Sequence, residues 1–154
     1  MKYWVILLFL ITSSQKVDAM SFFDIGKTCV FSEVKVKLMR NGEPLKNTKI
    51  IRRWEWNALK QDTATTDSNG YFEFPAIYEK SISRLLPVEL VIAQGIYVIE
   101  NGEEKKIWSN SKREPEENSE FHGRPIVMSC EITDEMKIHR EFDSIMNTLC
   151  KWEI

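Results

Sequence analysis

Thr65-Thr66-Asp67-Ser68-Asn69-Gly70-Tyr71-Phe72-Glu73-Phe74-Pro75 decides the fold class. Threonine favours extended backbone. Asp67 can accept bonds from backbone amides just ahead of it, and Gly70 supplies the left-handed conformation a tight turn asks for. Aromatic alternation resumes at Tyr71, so the stretch reads as a β-hairpin.

The same period of two extends outward. From Val30 to Met39, Val30, Val34, Val36 and Leu38 fall on one side, opposite Glu33, Lys35 and Lys37. A turn at Asn41-Gly42-Glu43-Pro44 leads to a second strand, Thr48 to Trp56, with Ile50, Arg52, Trp54 and Trp56 on one face and Ile51, Arg53 and Glu55 on the other. Tyr78 to Leu86 reads as a short amphipathic helix, with Ile82, Leu85 and Leu86 on one side and Pro87 as its stop. Asn101-Gly102 is a strong hairpin signal between strands Glu89 to Glu100 and Lys105 to Ser109. Asn110 to Arg124, charged and without periodicity, reads as a long exposed loop before a last strand, Pro125 to Thr133. Met136, His139, Phe142, Ile145, Met146 and Leu149 then recur at three- and four-residue steps, which predicts an amphipathic helix to about Lys151. The expected fold is mainly β, an antiparallel sandwich of about seven strands with a C-terminal amphipathic helix.

Residues 1–19 have the layout of a secretory signal peptide: Lys2, an apolar run from Tyr3 to Thr12, and small residues Val17 and Ala19 before a cut after Ala19. The apolar run is well short of the roughly 20 residues that span a bilayer, so no stable membrane anchor is expected after cleavage. Cys29 follows Gly26-Lys27-Thr28, too late and behind a charge for lipid attachment, and Met20 is an alternative start. Residues 20–133 then form one domain and residues 134–154 its helical extension, in a periplasmic or secreted protein. The formal net charge of −2 offers no basic field for nucleic acid.

Cys29, Cys130 and Cys150 have long, irregular spacings without a Cys-x-x-Cys pair, which favours structural sulfur over zinc. Three pairings are open. Cys130 with Cys150 is preferred, because that bond would pin the expected helix to the last strand, with Cys29 as the alternative partner.

Two segments resemble the carboxypeptidase regulatory-like domain, a transthyretin-like member of the immunoglobulin-like sandwiches. They are Asn41-Gly42-Glu43-Pro44-Leu45-Lys46-Asn47-Thr48-Lys49-Ile50 and Thr66-Asp67-Ser68-Asn69-Gly70-Tyr71-Phe72-Glu73-Phe74. More narrowly, Cys29-Val30-Phe31-Ser32, Arg53-Trp54-Glu55-Trp56, Phe74-Pro75-Ala76, and Trp108-Ser109 followed by Lys112-Arg113 resemble an uncharacterised group of bacterial domains of this layout. The resemblance implies a fold, covering residues 30–133, and a structural or ligand-binding role rather than an activity.

Catalysis has little to work with. His122 and His139 are the two histidines; one reads as a loop residue and the other as a packing residue on the expected helix. Glu114, Glu116, Glu117 and Glu120 lack the ligand alternation of a calcium loop and read as a solvated face. No cofactor or metal is expected. Arg52, Arg53, Trp54, Trp56, Trp108, Lys112 and Arg113 are the candidate partner or ligand surface, a set able to build stacking and cation-π contacts. The reading is a non-enzymatic, exported protein-binding module with a partner in the cell envelope, such as an immunity protein against a delivered toxin. The alternative is a small-ligand or carbohydrate-binding sandwich using the tryptophans. The oligomeric state is open.

Overall fold

The computed structural model describes residues 26–81, 89–142 and 144–152. The expected signal peptide and the face formed by Ile82, Leu85 and Leu86 lie outside them. The described chain is mainly β.

Strands β1 (Lys27–Phe31) and β2 (Val34–Arg40) form one line, broken at Ser32-Glu33. Strand β3 (Glu43–Pro44) folds back on the end of β2. Strands β4 (Lys49–Glu55) and β5 (Leu59–Thr65) follow as an antiparallel pair. Strands β6 (Tyr71–Phe74) and β7 (Ile77–Lys80) form a second broken line, which runs antiparallel to the first with Val34 facing Phe74 and Phe31 facing Ile77. The two lines break in step. Pro75 has no N–H to give the ladder, and the pairing lapses there.

Strands β8 (Ile92–Glu100) and β9 (Glu103–Lys112) are joined by the two-residue Asn101-Gly102 turn, and β10 (Ile126–Glu131) follows. The tail holds β11 (Lys137–His139), β12 (Met146–Thr148) and β13 (Cys150–Trp152). A six-stranded sheet runs β11-β12-β9-β8-β4-β5, a five-stranded sheet runs β13-β10-β2 with β3 and β6 both against β2, and β1 and β7 form a two-stranded sheet. Most pairs are antiparallel, but β10 lies parallel to β2, from Ile126 beside Val34 to Glu131 beside Met39. All three sheets contribute to one core, β1 through Val30 and Phe31. Val34, Val36 and Leu38 of β2 are buried with Ile50 of β4, Ile96 and Val98 of β8, and Met128 of β10. Each buried aliphatic contributes about 1.5–3 kcal/mol.

Four local expectations are corrected. The strand expected from Val30 to Met39 is interrupted at Ser32-Glu33. The turn at Asp67–Gly70 forms, with Asp67 Oδ1 accepting from the amides of Asn69 (2.8 Å) and Tyr71 (2.9 Å). Yet it is not a hairpin, since β5 pairs with β4 in one sheet and β6 with β2 in the other. Turn chemistry fixes a reversal, not the strand that the outgoing segment will meet. Gly70 is held at φ +78° with no room for a side chain, because a Cβ would sit 2.5 Å from the carbonyl oxygen of Leu38. Tyr78–Lys80 is strand, paired with β1, rather than the start of a helix.

The fourth correction is the C-terminal helix, which is replaced by three short strands. β12 covers the edge of β9, and β13 covers the edge of β10. Closing two edges satisfies backbone groups that a helix lying on the surface would leave bare. Met146, Thr148 and Cys150 alternate inward, whereas Ile145, on the expected apolar stripe, is exposed. Cys130 and Cys150 face each other across β10 and β13 and are joined by a disulfide, Cα atoms 4.1 Å apart. Cys29 is free and buried.

Candidate functional site

The basic and aromatic residues singled out in the sequence do not share one surface. Arg52 is fully buried: Nε and Nη2 donate to Asp62 (3.0 and 2.5 Å), Nη1 donates to the carbonyl of Pro75 (2.6 Å), and the guanidinium lies over the rings of Phe31, Trp54 and Phe74. Trp54 is buried beside it and donates its indole N–H to Glu79 (2.8 Å). Trp56 is partly buried against the core. Trp108 is fully buried against Phe31, ring centroids 5.6 Å apart. The cause is a shift in the β8–β9 register, where Ile96 faces Trp108 but Tyr97 faces Lys106; this lets Ile107 and Trp108, adjacent in sequence, both enter the core. Arg53 points the other way, bidentate to Glu104 at 2.6 Å and over the ring of Tyr97. Arg113 is exposed and paired with Glu89.

Lys112 is buried because the 113–124 segment folds over it. That segment is no free loop: it contains a 3-10 helix, Ser119–Phe121, whose Glu120 and Phe121 are buried. Lys112 Nζ donates to the carbonyl of Glu116, to Ser119 Oγ and to Glu120 Oε2, each at 2.7 Å. Glu120 also accepts from the Ser32 hydroxyl (2.6 Å), the Ser32 amide (3.2 Å) and Gln94 Nε2 (2.9 Å). Burial pushes the Glu120 carboxyl up, but the Lys112 charge and the bonds from Lys112, Ser32 and Gln94 outweigh it and hold the carboxyl below its ordinary range. The strand break is thereby satisfied from both sides: Glu120 takes the amide of Ser32, and Arg52 takes the carbonyl of Pro75.

A cavity of about 560 Å³ lies beside this network, lined among others by Asn110, Lys112, Ser119, Glu120, His122 and Phe142. Its buried charged groups are bonded to one another. The three Lys112 protons and both Glu120 oxygens are engaged, and the Ser32 hydroxyl gives its proton to Glu120. Burial pushes the Cys29 thiol up, away from the thiolate a nucleophile requires. His139 Nδ1 lies 3.0 Å from Glu141, its ring edge-on to Trp152. Among the described residues no group of side chains has metal-ligand geometry, and no helix is long and apolar enough to cross a membrane.

The outer face of the six-stranded sheet has a different character. One cross-strand row runs Gln61, Arg53, Gly95, Ser109, Asn147, Ile138, and the next runs Leu59, Glu55, Ala93, Ser111. Ala93, Gly95, Ser109 and Ser111 make a floor of small side chains under a trough of about 350 Å³. Gly95 makes room for its neighbour: a Cβ there would come within 2.8 Å of the Tyr97 ring, which folds back over it and would have to move aside. Arg53 and Lys106 both approach that ring, at 4.8 and 5.6 Å from its centroid. Leu59 and Ile145 line the trough and Ile138 ends the row; they are 65%, 54% and 61% exposed. Nothing in the sequence pattern marked this face beyond the rare succession of small residues at alternate positions of β8 and β9.

Residues 34–135, more than half of the chain, match the model of a family described as Domain of unknown function (DUF6795). The chain belongs to this family. The DUF6795 segment holds the whole trough floor, the Lys112–Glu120 pair and Arg52. Cys29 and strands β11 to β13, which carry Ile138 and Asn147 of the trough row, lie outside it. No curated protein and no solved structure matches the chain.

Proposed function

We propose that this protein is a non-enzymatic, exported binding module on a transthyretin-like sandwich, and that it holds an extended segment of a partner protein in the trough on its six-stranded sheet. The supporting observation is the trough itself: small side chains at Ala93, Gly95, Ser109 and Ser111 leave room for a partner's side chains, between exposed apolar residues on β5 and on the tail. Exposed aliphatic residues gathered around a concavity mark contact surfaces. The disulfide favours an oxidising compartment, hence a partner in the cell envelope. An immunity protein that blocks a delivered toxin is the specific form of this reading, a small domain whose buried polar groups brace the fold rather than do chemistry. A carbohydrate platform has less support, because Trp54 and Trp108 are buried and the Tyr97 ring is approached by Arg53 and Lys106.

The test is a photo-crosslinking amino acid placed at Ser111, on the trough floor, and at Lys35, exposed on the other sheet, in the protein expressed in its own cells. The proposal expects a protein adduct of defined mass from Ser111 that Lys35 does not give. No adduct at Ser111, or the same adducts at both positions, would rule the trough out as the binding surface.

A further inference from the structure

Of the strands that edge the three sheets, β1, β3, β6, β7, β11 and β13 have five residues or fewer, whereas β5 has seven. Short strands and coverage are how sheets avoid pairing with foreign chains. Among the described residues β5 has neither, and the edge charges it does carry, Lys60 and Asp62, repel a foreign strand but, being of opposite sign, can match each other. Its seven pairings with β4 run from Glu55–Leu59 to Lys49–Thr65 with no bulge, it contains no proline, and every residue but Asp62 and Ala64 is exposed. Among the described residues, no backbone hydrogen bond outside the ladder engages residues 59–65.

We infer that β5 pairs antiparallel with β5 of a second copy of this chain, about a two-fold axis through Gln61, joining two six-stranded sheets into one. The register follows from charge. With Gln61 opposite Gln61, Lys60 of each copy faces Asp62 of the other, and Leu59 faces Thr63. An axis through Lys60 or Asp62 would set like charges opposite each other, and an axis between residues would leave both unmatched. Opposite charges across a ladder stabilise it and like charges do the reverse. Within one copy Lys60 pairs with Glu79 and Asp62 with Arg52, but both side chains stay partly exposed and able to take a second partner. An isologous two-fold contact of this kind closes on itself and does not propagate into fibres. The pairing uses backbone at the sheet edge and stands independently of what the trough binds.

The full chain is tested by sedimentation velocity over a concentration series and by cysteine crosslinking. Residues facing each other across an antiparallel pair have Cα atoms about 4.5–5.5 Å apart, within disulfide range. Gln61→Cys is therefore expected to give a covalent dimer on a non-reducing gel, Thr63→Cys alone to give none, and Leu59→Cys with Thr63→Cys to restore it. Gln61→Lys, which sets two ammonium groups together on an exposed face, is expected to weaken the dimer at least about fivefold, whereas Gln61→Ala, which loses the same bond from Arg53 Nε without adding charge, leaves it in place. A monomer at every concentration up to about 1 mM, or crosslinking at Thr63 as ready as at Gln61, overturns the inference. So does protection of the β5 amides from hydrogen exchange that arises only with a different protein.

Discussion

Lys112 Nζ lies 2.7 Å from Glu120 Oε2, and both side chains are almost wholly out of water. The pair ties β9 to the 3-10 helix and, through Ser32, to the break between β1 and β2. Removing one member leaves a buried charge without its partner, at about 3–5 kcal/mol, whereas replacing both with apolar residues of similar size can be close to neutral. Lys112→Met and Glu120→Gln are each expected to lower the urea midpoint sharply, and the double variant Lys112→Met/Glu120→Leu to recover only part of the loss, because the buried Ser32 amide loses its acceptor. A double variant no better than the singles would show that the pair does more than balance itself.

Glu131 gives the clearest pH dependence. Its carboxylate accepts from the amide of Gly42, and also from the amides of Asn41 and Thr133 and the Thr133 hydroxyl, which lowers its pKa from 4.5 to about 2. A carboxyl with a depressed folded pKa stabilises the fold above its unfolded pKa, and that contribution fades as pH falls through the folded value. Melting temperature is therefore expected to fall between about pH 4.5 and pH 2 more steeply in the native protein than in Glu131→Gln.

Arg52 predicts a failed conservative change. Its planar fork serves Asp62 and Pro75 while its faces pack on three aromatic rings. Lysine can supply neither the fork nor the stacking. Arg52→Lys is expected to destabilise by about 2–4 kcal/mol, read by chemical denaturation. Arg53→Lys, on the outer face, should cost under about 1 kcal/mol.

Gly95→Leu is expected to displace the Tyr97 ring and fill the trough, since the added Cβ would begin 2.8 Å from that ring. Crosslinking from Ser111 should fall at least about tenfold if the trough is the binding surface, a loss of about 1.4 kcal/mol. An unchanged far-ultraviolet spectrum would show that the fold survives.

Reducing the Cys130–Cys150 disulfide frees a loop of 20 residues, at about 3 kcal/mol by chain entropy. Denaturation with and without a reductant measures it. Cys29 should resist alkylation in the native protein and react only on unfolding, because it is buried and its thiol is pushed up.

Alternation made the strands legible: Val34, Val36 and Leu38 on β2, and Ile126, Met128 and Cys130 on β10, are buried as their spacing predicts. The Asn101-Gly102 hairpin was equally plain, because its two strands pair with each other directly. The Asp67–Gly70 turn shows the limit of local signals, since its outgoing strand pairs with β2, far from the turn in sequence. The tail shows another. Met136 to Leu149 carries a helical spacing, but two sheet edges compete for those residues, and edges do not appear in a sequence. Glu120 looked like one more acid in a solvated run, and its burial depends on Lys112 and on Ser32, which lies 88 positions away. The trough was hidden because small residues on an outer face give no hydrophobic period.

The parallel alliance of β2 with β10 has a kinetic meaning. β2 is made long before β10, the strand that lies parallel at its flank. Topologies rich in such distant pairings fold slowly, on the order of milliseconds to seconds. Until Met146 to Trp152 has emerged, β9 and β10 each present an uncovered side. With those residues unpaired, each of the two strands keeps a bare edge open to a foreign strand, so the tail guards both sheets at once.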